Sequence, residues 1–577
     1  MSTAFCCVEG CSQPAPMLLG GHNPVAQSNR VVSSPHHITL NTAQRIYQST
    51  KPLFTMKHFC LTLAALLVHL TLFAQQYDLL IRGGKVVDGT GNAWFNADVA
   101  IKDGKVAKVG SLPSATAKRI VDAKGLIVCP GFIDVHTHIE EDEFRVPTAD
   151  NFIYDGVTTV VTGNCGLSNV DLGRYFEQLD SLKTSVNVAS MIGHNDVRQA
   201  VMGTVNRPAT PDEQKKMEAL VEKAMKDGAA GLATGLIYIP GTFSTTDEIV
   251  GLARVAARYG GVYASHIRSE GDDVLKAIEE AVLIGRETGI PVQISHFKVS
   301  GQNNWGRSKE TLAAVESARR QGIDVTIDQY PYTASSTGLT TLLPSWALAG
   351  GQDSIKARVA NPTTHERMVK DMVATLKRRQ QKHFTYAVVA SYDPAPSLNG
   401  KNLEEINLLK GRKHKAEAEA ETILELVLKG NASMVFHGMD DWDVENIMRY
   451  PQNMFASDAS IRVYNFGVPH PRGYGTNARV LGYYVRQKKI IPLEEAIRRM
   501  TSLPAQKFRL QGRGLLQSNM QADVVVFDEN TIIDASTYDR PHQYSKGIKY
   551  VVVNGQLVVD EEKHTGLRVG KVLRIFN

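Results

Sequence analysis

The run Pro130-Gly131-Phe132-Ile133-Asp134-Val135-His136-Thr137-His138 ends a β-branched stretch in His-x-His. Side chains alternate along a strand, so residues i and i+2 share a face, and both imidazoles can reach one ion or one dinuclear site. A polar strand end gives the same pair without a metal, so the pair alone does not decide. The rest of the chain supplies more donors in the same setting. Cys165 stands in Gly163-Asn164-Cys165-Gly166, directly after the strand-like run Thr158-Thr159-Val160-Val161. A thiolate there is a strong zinc ligand, and the flanking glycines mark a tight functional turn rather than a buried structural cysteine. His266 and His296 each end an apolar run and lie thirty residues apart, about one β/α unit, which gives them equivalent places on neighbouring strands. Asp458 follows Ala456-Ser457 at the end of the last such run. A carboxylate beside a metal can hold a nucleophilic water, take its proton and deliver it to a leaving nitrogen. The set points to metal-assisted hydrolysis.

Positioning these groups needs strands that end together. Runs at 158–161, 186–192, 231–233, 262–266, 292–296, 324–328, 434–437 and 454–458 alternate with helical segments such as 247–259 and 271–288. That alternation predicts a (β/α)8 TIM-like barrel, an α/β fold whose chemistry sits at the strand C-terminal ends. Residues 75–127 instead carry short strands punctuated by turns, among them an Asp103-Gly104 hairpin signal, and the same character returns over 511–577. The two chain ends are expected to build one small β-sandwich beside a barrel spanning 128–510. A Lys-, Arg- and Glu-rich insertion over 345–430 breaks the barrel rhythm and reads as a lid or subdomain.

The 577 residues are 43% hydrophobic with a net charge of +5, and residues 1–74 hold four bases and one acid, which leaves +2 on the rest. Nothing in that balance indicates a nucleic-acid partner. Met56-Lys57-His58, the apolar run Phe59–Phe73 and then Ala74 read as a secretory signal peptide over 56–74, with cleavage favoured over a retained anchor. Residues 1–55 are an upstream extension expected to be disordered or absent from the mature protein, which is expected to be exported, periplasmic or extracellular, with no stable membrane span after cleavage. Four of the six cysteines lie in this leader, so only Cys129 and Cys165 remain and no disulfide framework is visible. Cys129 reads as a small core residue. The oligomeric state has no signature in the sequence.

Residues 77–570 resemble the amidohydrolase superfamily, and within it the N-acyl-D-amino-acid deacylases, or D-aminoacylases. The resemblance rests on Gly131–His138, Gly163–Gly166, Gly235–Gly241, Ser265–Glu270, Ser295–Lys298, Tyr330-Pro331-Tyr332 through Ser336-Thr337, Ala456–Asp458 and His470–Thr476. It implies that Cys165 stands where most relatives with two metals use a carboxylated lysine. It further implies a tight Zn2+ on Cys165, His266 and His296, a weaker second site on His136 and His138 sharing the sulfur, and Asp458 as acid and base. Lys298, Tyr330, Ser336 and Arg472 match positions that recognise the α-carboxylate of a small-molecule N-acyl-D-amino acid, with Tyr330 favoured over Tyr332 from its spacing to Lys298. His437 is assigned a structural or supporting role. Two departures bear on side-chain preference: the acidic run Glu140-Glu141-Asp142-Glu143, expected to be a solvated loop, and Asn477-Ala478 in place of Phe-Pro. A hydrolase of cyclic amides or dipeptides, and a non-catalytic binding relative, are the competing readings.

Overall fold

The computed structural model describes residues 76–575; the extension, the leader and its cysteines lie outside the described residues. Eight parallel strands form the barrel: β1 (Phe132–Asp134), β2 (Val157–Thr162), β3 (Asn187–Ser190 continuing as Ile192–Gly193), β4 (Gly231–Gly235), β5 (Val262–His266), β6 (Val292–Ile294), β7 (Val325–Gln329) and β8 (Asn453–Phe455). Their pleat sorts side chains by size. Phe132, Val160, Leu232 and Tyr263 face the surrounding helices. Their neighbours Ile133, Val161, Ala233 and Ala264 fill the narrow interior with Met454 and Ala456. Full burial of each large aliphatic or aromatic side chain contributes about 1.5–3 kcal/mol. The predicted helices form as Thr246–Arg258 and Val274–Thr288, packing their apolar faces on this outer layer.

The ring closes between β1 and β8. The Asp458 N–H donates to the His136 carbonyl and the His138 N–H to the Ala459 carbonyl, each at 2.9 Å. Buried Asp134 accepts the backbone N–H groups of His136 and Ser457 at 3.1 Å, tying the two strand ends together. Burial pushes its pKa up to about 6.

Both chain ends join in one small β domain, as the sequence predicts, and its strands are hydrogen-bonded as a nine-stranded sheet. Val524–Phe527 pairs antiparallel with Ile127–Pro130, setting Val525 opposite Cys129. Cys129 is fully buried there. The sheet therefore runs to Pro130, past the expected boundary at 127. Asp103 and Gly104 form the hairpin turn, with φ of 52° and 75°. The final residues leave this sheet: Gly570 and Leu573 donate to the carbonyls of Thr184 and Val188, and Ile575 joins the barrel interior.

The run Met434–His437 is not a barrel strand. Ser433–His437 pairs antiparallel with Ala334–Gly338 and Ala387–Ser391, in a separate three-stranded sheet with its own core. The insertion thus extends from the end of β7 to the helix Asp441–Met448, wider than 345–430. An apolar β-branched run looks the same in either sheet, which is why sequence pattern misplaces it. Among the described residues no helix is long and apolar enough to cross a membrane.

A buried polar network joins sheet, barrel and tail. Arg513 contacts Asp523, Asn187 donates to Asp523 at 3.3 Å, and Asn554 donates to Asn187 at 2.7 Å and to the Val569 carbonyl at 2.8 Å. Asp523→Ala leaves Arg513 buried without its counter-charge, a loss on the order of 3 kcal/mol. The urea midpoint of that variant should fall clearly below wild type; an unchanged midpoint would show that the network holds nothing together.

Candidate metal centre

Period-2 geometry carries the donor groups to the barrel mouth. His266 lies two residues beyond inward-facing Ala264, and Asp458 two beyond Ala456. Cys165, His296 and Asp458 leave their strands in left-handed backbone, with φ of 52°, 36° and 51°. That conformation costs a non-glycine residue on the order of 1–3 kcal/mol. Close backbone packing holds it: a Cβ on Gly166 would lie 2.1 Å from Asn195 Oδ1, and one on Gly235 2.0 Å from the Cys165 carbonyl.

The sequence-predicted ligands come together. Cys165 Sγ lies 3.3 Å from His136 Nε2, 3.6 Å from His266 Nδ1 and 3.5 Å from His296 Nε2. His136, His138 and Cys165 form one donor group, Cys165, His266 and His296 another, and His136, His296 and Asp458 a third, each with ligand atoms within 4.8 Å of one another. The first two groups share the sulfur. All these residues are buried except His138, which is part-exposed.

Outer partners fix the rings. His296 Nδ1 lies 3.0 Å from Glu270 Oε1, and His136 Nδ1 lies 3.3 Å from Asp328 Oδ1. A carboxylate behind one ring nitrogen keeps the proton there and leaves the other lone pair for a metal. Asp328 also accepts the His296 N–H at 2.7 Å and Gln293 Nε2 at 2.7 Å. Sequence reasoning assigned no role to Glu270, Asp328 or Asp134. Their signals were present: Glu270 stands four residues past His266, Asp328 near the end of β7, and Asp134 two residues before His136.

Charge in the site favours a cation. Burial raises the Cys165 pKa, but His136 and His296 outweigh it and hold the thiol well below its ordinary value, as a thiolate. Burial opposes charge on His136, yet Cys165, Asp328 and Asp458 raise its proton affinity, and the same anions suit a metal in the proton's place. One thiolate with neutral imidazoles is a zinc-type donor set. Burial also pushes Asp458 up, against Arg472 at 2.8 Å and His136, which together hold it well below the usual carboxylate range. Its other oxygen lies 3.2 Å from His138 Nε2.

Arg472 is 4% exposed, and its guanidinium stacks 4.5 Å from the Tyr330 ring centroid. Its Nη1 faces Asp458 Oδ2 at 2.8 Å, while its Nε and the Tyr330 hydroxyl have no hydrogen-bond partner among the described residues. Tyr332 instead packs under Arg479, at 4.8 Å. Ser336 meets Arg472 through its carbonyl, 3.3 Å from Nη2. The Lys298 ammonium donates to Glu270 Oε1 at 2.5 Å and to the His296 carbonyl at 2.9 Å. It holds the His296 backbone and the Glu270 carboxylate that stands behind the His296 ring.

The acidic run is not a solvated loop throughout. Glu140 accepts from Thr162 Oγ1 at 2.6 Å and Gly163 N–H at 2.7 Å, and Glu143 is fully buried, its pKa pushed up to about 7 by burial. Only Glu141 is exposed. Asn477 is held by Asp155, at 2.7 Å from its backbone N–H. His437 stands on the insertion sheet beside Tyr538, 4.8 Å between ring centroids, rather than on the barrel.

Comparison with known proteins agrees with this geometry. The sequence pattern described as "Amidohydrolase family" matches residues 119–559. A D-aminoacylase of Alcaligenes xylosoxydans xylosoxydans is 37% identical over 523 residues, covering 87% of this chain and 98% of that protein. The crystal structure of N-acyl-D-glutamate deacylase from Bordetella bronchiseptica, complexed with zinc and a phosphonate mimic of the reaction's tetrahedral intermediate, is 35% identical. It superimposes with a TM-score of 0.74, covering 87% of this chain and all of that one. A D-aminoacylase structure described for its binuclear metal centre, with one-metal activation and second-metal attenuation, is 36% identical with a TM-score of 0.73, covering 86% of this chain and all of that one. The chain belongs to the amidohydrolase family, in its N-acyl-D-amino-acid deacylase branch.

Proposed function

We propose that this protein is a zinc-dependent hydrolase that cleaves the amide bond of N-acyl-D-amino acids to a carboxylate and a free D-amino acid. The observation that carries the reading is a thiolate, two imidazoles and a carboxylate meeting at one barrel mouth beside a buried arginine that is paired with that carboxylate and has an unpartnered Nε. Cys165, His266 and His296 would hold the tight zinc, and His136 and His138, with the same Cys165, would offer the weaker site. Zinc bound there supplies Lewis acidity toward water and the scissile carbonyl.

The chain's own residues do the rest. Asp458, ionised and adjacent to both histidine groups, takes the proton from the attacking water and returns it to the leaving nitrogen as the C–N bond breaks. Arg472 grips the substrate α-carboxylate with its planar fork, and the Tyr330 hydroxyl supplies a further donor. Lys298, 5.5 Å from the Tyr330 ring, adds positive potential while it positions His296 and Glu270. Fixing the carboxylate and the amide carbonyl together presents the α-carbon in one hand only.

Amine release from matched N-acetyl-D- and N-acetyl-L-amino acids, before and after chelation, tests the reading. Chelator-sensitive release from the D-series alone is expected. Release only from cyclic amides or dipeptides, or zinc binding without turnover of any of them, would overturn it. Asp458→Ala should retain metal and lose about 10²–10⁴-fold in kcat, the range for a positioned acid and base; full activity would remove its role. Arg472→Lys keeps the charge but not the fork, so kcat/KM should fall about 10–100-fold, the worth of a charge-assisted hydrogen bond. The defect should vanish on a substrate whose α-carboxylate is an amide, and a defect equal on both substrates would remove Arg472 from carboxylate recognition.

We also propose export, supported by the basic start, apolar run and small residue over Met56–Ala74. N-terminal sequencing of protein recovered from outside the cytoplasm should begin at Gln75 or Gln76. A mature chain that retains Met56 and stays with the cytoplasm would refute it.

A further inference from the structure

The insertion holds a second convergence of ligand groups that the barrel chemistry does not use. His383, Glu404, His414 and Glu419 place one ligand atom each within 4.8 Å of one another. They come from separate segments: His383 precedes the turn Phe384–Tyr386, Glu404 opens the helix Leu403–Leu409, His414 lies in the following loop and Glu419 is in the helix Ala416–Lys429. The two imidazoles stack, with centroids 4.1 Å apart and planes at 20°. Glu419 Oε1 lies 2.5 Å from His383 Nδ1, Glu404 Oε1 lies 3.6 Å from the same nitrogen, and Glu404 Oε1 also touches His414 Nε2.

Two arrangements fit such a cluster: a pair of His–Glu hydrogen bonds, or one divalent cation. Hydrogen bonds need only one ring for each carboxylate, yet Glu404 approaches both rings. Neutralising both carboxylates with protons would stack two imidazolium ions 4.1 Å apart, whereas one dication balances both with the rings neutral. Glu419 is also fully buried, and a buried carboxylate needs compensating charge. Lys410 and Arg412, on the loop beside it, spend their charge on Glu425 at 3.0 and 2.9 Å. Outer contacts fix the donors as they do at a metal site. Glu419 Oε2 accepts the Phe384 N–H at 2.7 Å, and Glu405 rather than Glu404 closes the capping box with Asn402.

We propose that His383, Glu404, His414 and Glu419 bind one divalent transition-metal ion in the insertion, apart from the barrel centre. Two nitrogens and two carboxylate oxygens with no sulfur suit zinc, and the imidazoles disfavour calcium and magnesium. Four protein ligands make a closed, structural site. The ion staples both helices and the turn that leads into Ala387–Ser391. That strand belongs to the sheet whose other edge carries Ser336 and Thr337, in contact with Arg472 and Tyr238. The site thus braces one wall of the substrate region without touching the reacting atoms.

The test counts metal. Full-length protein is stripped with chelator, dialysed against zinc buffered near micromolar free ion, and its zinc per chain measured by elemental analysis. His414→Ala and Glu404→Gln should each bind one equivalent fewer than wild type while keeping the wild-type circular dichroism spectrum. In a Cys165→Ala background the zinc that remains should be lost on adding His414→Ala. With cobalt the insertion site should lack the thiolate charge-transfer band that the barrel centre gives. Zinc should raise the melting temperature of the Cys165→Ala protein but not that of Cys165→Ala/His414→Ala. Equal zinc in wild type and both folded single variants, or binding only at millimolar zinc, would overturn the proposal. His414 is more than half exposed, so its loss is compatible with folding. Because the readout is stoichiometry, the result stands whatever substrate the barrel turns over.

Discussion

The seam between β1 and β8 is the constraint on which the centre depends. Closing a barrel obliges its first and last strands to meet, and here they meet through Asp134, which accepts from Ser457, and through the Asp458 N–H on the His136 carbonyl. Those bonds put His-x-His from one chain end beside a carboxylate more than three hundred residues away. The remaining donors need no such device, since β2, β5 and β6 deliver Cys165, His266 and His296 by their own register. A slip of one residue at the seam would turn Asp458 off the barrel interior and leave the five ligands without the carboxylate beside them.

Charge balance is the second constraint. The barrel mouth gathers Cys165, Asp328 and Asp458 in buried positions and Glu270 in a part-buried one, against Lys298 and Arg472. In a low-dielectric interior such a cluster is tolerable only when nearly every charge has a partner. A divalent ion between the sulfur and the imidazoles completes the balance, so the same groups that bind metal also need it. Left-handed backbone at Cys165, His296 and Asp458 adds strain that only the surrounding close packing sustains.

Much of this was legible in the sequence because strands write their faces in period two. The barrel strands, the Asp103-Gly104 hairpin, the joining of both chain ends into one sheet and the donor set at the strand ends all follow from that pattern. What failed did so for physical reasons. Met434–His437 has the apolar character of a barrel strand, and nothing local distinguishes a parallel neighbour from an antiparallel one. Glu140 and Glu143 look solvated by composition, and only three-dimensional packing shows Glu140 gripping the turn that carries Cys165. Asp328 and Glu270 were hidden by their type, since a carboxylate near a strand end reads equally as a cap. The four residues of the insertion cluster come from separate segments, and the spacing between those segments does not show that they meet.

Reaction and selection rest on different elements. The metal-ligating groups and Asp458 are held at the ends of barrel strands, whose register cannot shift without unmaking the core. The groups proposed to meet the rest of the substrate come from Arg472 after β8, Tyr330 after β7, and the insertion strand carrying Ser336 and Thr337, which is joined to the β4 loop by the Tyr238 to Thr337 hydroxyl contact at 3.0 Å. Such segments can change sequence and still leave the barrel intact. Relatives of similar identity to this chain accordingly bear names for different D-amino acids. We infer that side-chain preference rests on the insertion wall and the loop after β1 rather than on the metal ligands. A wall that sets preference must itself be rigid, since a carboxylate clamp is only as selective as the surface that fixes its angle. In this chain the wall is an independent sheet with its own core, and its stiffness comes from within the insertion rather than from the barrel.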